Sequence, residues 1–254
     1  MSDACVENQY FSGQGAILVG ERDAVTGLPM GLRPVGNVSA LTLGVETTTF
    51  EHKDSCTGVR GIDLEIVQEL NASMSMTMES LFKENLSLAL YGTDSVITGA
   101  SVTDEALLGY HDLWSPLAHI QVSAVIITDV GGSTTYVLDT DYEVNEVSGT
   151  IKVLSTGAIT DGQALEADYT FVTQDNIEAV TTGTPPIRFI RFEGLNTADL
   201  NKPVVIDVFK VSMQPLAELA LIQDEIAQME VESKILSDSK RATGSKYFNI
   251  RKVA

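Results

Sequence analysis

The side chains that most often carry chemistry are present here, but their spacing argues against its being done. His52, His111 and His119 are the three histidines. His111 and His119 stand eight residues apart around Trp114 and Pro116, with Asp112 close by. Two imidazoles and a carboxylate can hold zinc in principle, yet this separation is no ligand spacing, and the three read as surface or loop residues. Cys5 and Cys56 have no CxxC partner, cannot staple a chain of 254 residues, and fit a reducing cytoplasm. Asp139, Asp141, Glu143 and Asn145 look like half a calcium loop. They lack the sixth-position glycine and the closing glutamate, and read as a wet strand face and turn. Gly13-Gln14-Gly15 has no third glycine at dinucleotide spacing and reads as a turn. No nucleophile–histidine–acid set or Gly-x-Ser-x-Gly elbow is present. Neighbouring carboxylates such as Asp63 and Glu65 have no apolar pocket nearby in sequence to separate their pKa values, so they read as a hydrated face. The expectation is a non-enzyme with no catalytic residues, no metal and no cofactor.

The elements that position these residues are overwhelmingly strands. Residues 62–79 put Ile62, Leu64, Ile66, Leu70, Ala72, Met74, Met76 and Met78 on even positions. Asp63, Glu65, Glu69, Asn71, Ser73, Ser75, Thr77 and Glu79 fall on odd ones. Only Val67 and Gln68 break a period of two. At about 3.3 Å per residue such a strand reaches roughly 60 Å, with one face greasy and the other wet and acidic. Residues 38–51 and 204–214 are rich in β-branched types. Residues 226–236 alternate Ala227, Met229, Val231 and Ile235 against Gln228, Glu230, Glu232 and Lys234. A helix over 216–233 competes there, and strand is preferred for the second half. One helix is expected over 81–91, capped by Ser80, with Phe82, Leu86 and Leu90 on one stripe and Gly92 at its end. The Met74, Met76 and Met78 stripe is expected to pack against it. Residues 52–61 form a flexible loop. Residues 115–180 look like inserted short antiparallel strands, over 116–129, 134–138, 141–144, 150–154 and 164–172, followed by a strand at 187–193. The core is then 1–114 with 181–254.

Composition narrows the function classes. Sixteen basic residues face 35 acidic ones, for a formal charge of −19, and 44% of residues are hydrophobic. That apolar share excludes a mostly disordered acidic chain. No run is long enough to span a membrane as a helix, and the first residues show neither the basic nor the apolar region of an export signal. Lys240, Arg241, Lys246, Arg251 and Lys252 lie in the last fifteen residues, which hold no acid. Residues 1–239 therefore carry a formal −24. Such a body repels nucleic-acid phosphates rather than gripping them.

Several phrases, in order, resemble the major tail tube proteins of long-tailed bacteriophages, most closely the non-contractile kind. They are Gly36-Asn-Val-Ser-Ala-Leu-Thr-Leu, residues 61–79 running into Glu84-Asn-Leu-Ser-Leu-Ala-Leu-Tyr-Gly92, Tyr142-Glu-Val-Asn-Glu-Val-Ser-Gly-Thr-Ile-Lys-Val-Leu, and residues 221–238. The resemblance covers about 36–94 and 140–250. It implies a mainly β tail-tube fold, a sandwich or barrel with one flanking helix, forming a hexameric ring around a shared inner β-barrel. Rings stack into the conduit through which double-stranded DNA passes without specific binding. The implied partners are other copies of the chain and tape-measure, tail-tip and terminator proteins, in a virion assembled in host cytoplasm and with no membrane insertion by this chain. On that reading Asp63, Glu65, Glu69, Glu230 and Glu232 line the lumen. His52, Lys53, Asp54 and Arg60 of the 52–61 loop, with Lys240, Arg241, Lys246, Arg251 and Lys252, make ring-to-ring contacts. The insert lies on the exterior. The competing classes are an extracellular acidic β-sandwich adhesin and the tube protein of a contractile tail or secretion system.

Overall fold

The computed structural model describes residues 10–56 and 58–253, so Cys5 lies outside the described residues. The chain opens with β1 (Gly13–Glu21), β2 (Arg33–Pro34), β3 (Val38–Lys53), β4 (Ile62–Met78) and helix α1 (Lys83–Ala89). After β5 (Thr93–Ile97) come β6 (Ser101–Gly109), β7 (Trp114–Pro116), β8 (Val122–Asp129), β9 (Tyr142–Asn145), β10 (Thr150–Val153) and β11 (Gln163–Phe171). The chain returns through β12 (Gln174–Glu178) to β13 (Ile187–Asn196), β14 (Lys202–Met213), β15 (Met229–Ile235) and β16 (Phe248–Lys252). Two compact units result, one running to Asp94 and resuming at Ile177, the other spanning Ser95–Asn176. The second unit thus starts well before residue 115. The reason is β6, which pairs antiparallel with β11 from Ser101↔Thr170 to Gly109↔Gln163.

In the first unit an antiparallel sheet runs in the order β2–β1–β13–β14–β15–β4–β3, with β16 also on β14. Its strands have the expected two-faced pattern. Met74, Met76 and Met78 of β4 meet Val231 and Met229 of β15, Val211 and Met213 of β14, and Ile17 and Val19 of β1 in one core. The glycines of β1 are not the expected turn: a Cβ on Gly15 would lie 2.2 Å from the Glu193 carbonyl oxygen, so they admit close strand approach. Residues 216–228 are neither helix nor strand, and Leu221, Ile222 and Ile226 stand exposed there.

The helix is shorter than expected and is capped differently. Phe82 occupies the N-cap with no side-chain bond, while the Ser80 hydroxyl accepts the Asn37 N–H at 2.9 Å instead. Its buried residues are Asn85, Ser87, Leu88 and Ala89, and Phe82 is 52% exposed. Leu88 and Ala89 pack into the methionine core. Asn85 ties the helix down by donating to the Val35 and Ser80 carbonyls at 2.8 and 2.9 Å. At the other end Tyr91, not glycine, takes the left-handed conformation (φ 53°), and the Gly92 N–H reaches back to the Ser87 carbonyl at 2.8 Å. Tyr91 is held in place by its hydroxyl, which donates to the Met213 carbonyl at 2.6 Å.

The second unit has two three-stranded antiparallel sheets, β7–β10–β9 and β6–β11–β8, around its own core of Ile127, Tyr142, Ile151, Val153, Leu165 and Ala167. The expected strand at 134–138 supplies only isolated bridges, Thr128↔Thr135 and Leu138↔Tyr142. Asp141 is buried and accepts the N–H groups of Val137 and Ala158 at 2.8 and 2.7 Å. Those bonds hold its carboxyl below the ordinary range.

Candidate functional site

The feature that sets the first unit apart is the β3–β4 hairpin. β15 pairs with β4 only over residues 72–78, while β3 pairs with β4 along almost its whole length. Beyond Ala72 the hairpin is a two-stranded ribbon, closed by the Asp54 N–H on the Gly61 carbonyl at 2.9 Å. About ten residues at roughly 3.3 Å each make it some 30 Å long. Every residue from 62 to 71 is exposed. Val45 and Phe50 of β3, with Ile62, Leu64, Ile66, Val67 and Leu70 of β4, all show large apolar area. The outer edge of β3, sixteen residues long, carries no strand among the described residues.

The ribbon's two faces do not follow the simple alternation. On one face Glu69, Asn71, Ser73, Ser75 and Thr77 line up, with Glu232 opposite Ser75 and Glu230 opposite Thr77 on β15. This face is polar and lies opposite the methionine core. The register then skips a residue: Thr48 faces Glu69 but Thr49 faces Val67, leaving Gln68 as an extra residue. Such a bulge turns the following side chains over. Glu65, paired with Glu51, therefore lies on the opposite face from Glu69, while Ile66 and Leu64, paired with Phe50 and His52, join the acidic face. A second skip at Asp63 brings that residue back, and its Oδ1 lies 2.6 Å from His52 Nδ1. The expected single polar face of Asp63, Glu65 and Glu69 is thus broken at Glu65. Val67 and Gln68, the two interruptions in the sequence pattern, were the signal for it.

The basic C-terminal residues form no loose tail. β16 pairs with β14 from Val204↔Lys252 to Val208↔Phe248. Arg251 is ion-paired with Asp207, which Arg191 also approaches at 3.5 Å. The Arg241 guanidinium lies 3.6 Å from the Phe209 ring centroid, and its Nε donates to the Ser245 carbonyl at 3.0 Å. Lys240 and Lys246 are exposed. The segment is anchored by a buried pair, Arg22 with Asp238, at 2.7 Å. At the hairpin tip Lys53 and Arg60 are exposed, and Asp54 accepts the Cys56 N–H at 2.7 Å.

The histidines are not gathered into one site. His111 Nε2 sits 2.8 Å from the Ile159 carbonyl. His119 stacks on Phe171 and has Nδ1 2.7 Å from the Tyr169 hydroxyl. Tyr169 donates onward to Glu105, so His119 must be the donor in its own bond to that oxygen. Burial, aided by Glu105, raises the Tyr169 phenol far above its usual range. Sequence reasoning also missed a cleft of about 690 Å³ in the first unit, lined by Arg33, Glu84, Tyr91, Asp94 and Arg188 among others. Arg33 is held there by Asn85 Oδ1 at 2.8 Å and the Glu84 carbonyl at 3.0 Å, and burial lowers its pKa.

A family model described as Protein of unknown function UCP028589 matches residues 10–251. The chain belongs to this family. The matched span, residues 10–251, runs across both compact units. A comparison with curated proteins gave no match.

Proposed function

We propose that this chain is the repeating subunit of a tube, in which copies join through open sheet edges into hexameric rings that stack as the DNA conduit of a bacteriophage tail. The observation that carries the reading is the outer edge of β3. It is sixteen residues long, has no proline, and has a single lysine, Lys53, at its very end. Edges of monomeric proteins are short, bulged, or guarded by lysine and proline, because unpaired N–H and C=O groups otherwise recruit another strand. An edge this long, free of charged residues from Val38 to Val45 and free of proline throughout, suits a protein whose working state pairs it.

The two sides of the sheet support the same reading. One is closed by the methionine core, and the other presents Glu69, Glu230 and Glu232 among serines, threonine and asparagine. A wall between packed protein and an aqueous bore needs those two different faces. Carboxylates on the bore repel phosphates within about 8 Å at physiological ionic strength, so passing DNA meets a surface that does not hold it. Glu65 falls outside this lumenal set, since it lies on the other face.

The test is negative-stain electron microscopy of the purified full-length chain over a range of concentrations, with mass measured in solution. Rings or tubes with a central channel are expected. Single particles of one chain at every concentration would reject the tube and favour the adhesin class.

A further inference from the structure

Resting on the tube reading, we infer that successive copies stack head to tail, the tip of the β3–β4 hairpin in one docking against residues 217–228 of the next. Both surfaces are apolar and uncovered. Ile222 is 98% exposed, and Leu221 and Ile226 stand out in the same segment. Ile226 lines a cleft of about 390 Å³ with Ala217, Glu218 and Ala220, beside Glu230 at the start of β15. Toward the tip Val59, Ile62 and Leu64 show large apolar area, as does Phe50 on the facing strand. Apolar patches left open on a folded chain mark contact with another molecule.

Position and charge name that molecule as a second copy. Lys53 pairs with Ile62 at one end of the hairpin, and Val38 with Met78 at the other. Met78 also faces Met229, the first residue of β15, so the 217–228 segment lies at the end opposite the tip. The sixteen residues of β3, at about 3.3 Å each, put the two patches roughly 50 Å apart. One copy therefore cannot cover its own. The free charge at the tip is positive. Asp63 is engaged by His52 and Asp54 by the Cys56 N–H. Lys53 and Arg60 are exposed and in no ion pair among the described residues. The receiving segment is negative. Glu218, Asp224 and Glu225 are exposed and likewise in no ion pair among the described residues. No lysine or arginine occurs from Pro215 to Ser233. Opposite free charges orient the approach, and the apolar side chains supply the buried centre of the contact. Tip and segment differ, so the contact is heterologous and repeats from copy to copy along the hairpin.

Charge exchange tests the docking in the full-length chain. Lys53→Glu with Arg60→Glu reverses the tip, and Glu218→Lys with Glu225→Lys reverses the segment. The readout is the protein concentration at which tubes form, followed by light scattering and negative-stain microscopy. Each reversed pair is expected to raise it by roughly tenfold, since every stacked contact carries the change. All four substitutions together should return it to within about twofold of the wild type. A combination no better than its parts, or reversed pairs that assemble like the wild type, overturns the docking. Wild-type tubes then leave the tube reading standing, whereas a wild type that never assembles removes both. Thermal melting of dilute protein checks that each variant folds. Should a reversed variant not fold, Arg60→Gln and Glu225→Gln take its place. Each is then expected to cost about threefold, and the double variant less than the product of the two. A strictly multiplicative loss overturns the docking.

Discussion

Strand β4 contains two regions built from the same alternation and placed in opposite surroundings. Residues 72–78 lie between β15 and β3, with Met74, Met76 and Met78 almost wholly buried. Residues 62–71 carry Ile62, Leu64, Ile66 and Leu70 at the same even positions, and all are exposed. Hydrophobic periodicity therefore specifies two faces but not what covers them. In the near half the cover is the chain's own core; in the far half no described residue buries these side chains. The Gln68 bulge lies within the far half and turns Ile66 and Leu64 to the face of Glu69.

The sharpest way to test this contrast is to cut into the near half. Met76→Ala should cost about 2–5 kcal/mol of folding stability, the range for opening a cavity in a packed core. Urea unfolding of dilute protein measures it, and a loss under 1 kcal/mol would deny that these methionines form the core. Deleting Gln68 comes next. Removing the extra residue should return Glu65 to the face of Glu69 and turn Leu64 and Ile66 away. Because the far half is exposed, the cost in monomer stability should be about 1 kcal/mol or less, while tube formation seen by microscopy is lost. Leu64→Ser with Ile66→Ser should move stability by no more than about 0.5 kcal/mol and still impair assembly. A large fall in melting temperature would show that the ribbon is packed within the monomer after all.

The smallest effect serves as a control in the other unit. Asp141 has a lowered pKa from the Ala158 and Val137 N–H bonds. A carboxyl depressed in the folded state adds stability that is present above its unfolded value, near 3.9 for aspartate, and is lost as pH falls through the lower folded value. Acid unfolding followed by hydrogen exchange in residues 95–176 should thus have a shallower acid limb in Asp141→Asn. The β3–β4 contrast should not change.

Much of the fold could be read from residue order. The alternation in 62–79 marks β4, and Ala227 to Ile235 marks β15 over the competing helix, since tertiary pairing with β4 overrides the helical preference of Glu, Ala and Gln. What could not be read depends on partners distant in sequence. Ser101–Gly109 has no signal of belonging to the second unit until β11 is beside it. Ser80 is a good helix cap by type, but Asn37, 43 residues earlier, takes its hydroxyl. The acidic face was half legible: Glu230 and Glu232 share it with Glu69, whereas Glu65 lies on the other face because a bulge reverses parity without changing composition. The basic residues were visible as a cluster, but their attachment through Asp207 and Phe209 was not.

The pairing of β5 with β12 has an engineering consequence. The chain leaves for residues 95–176 and returns on adjacent antiparallel strands, so the two junctions are separated by about one strand spacing, roughly 4.8 Å. A two-residue turn can bridge that gap, and so can any foreign module whose termini lie side by side. The locus is a natural socket, suited to grafting reporters or binding modules onto the chain without rewriting the sheet of the first unit.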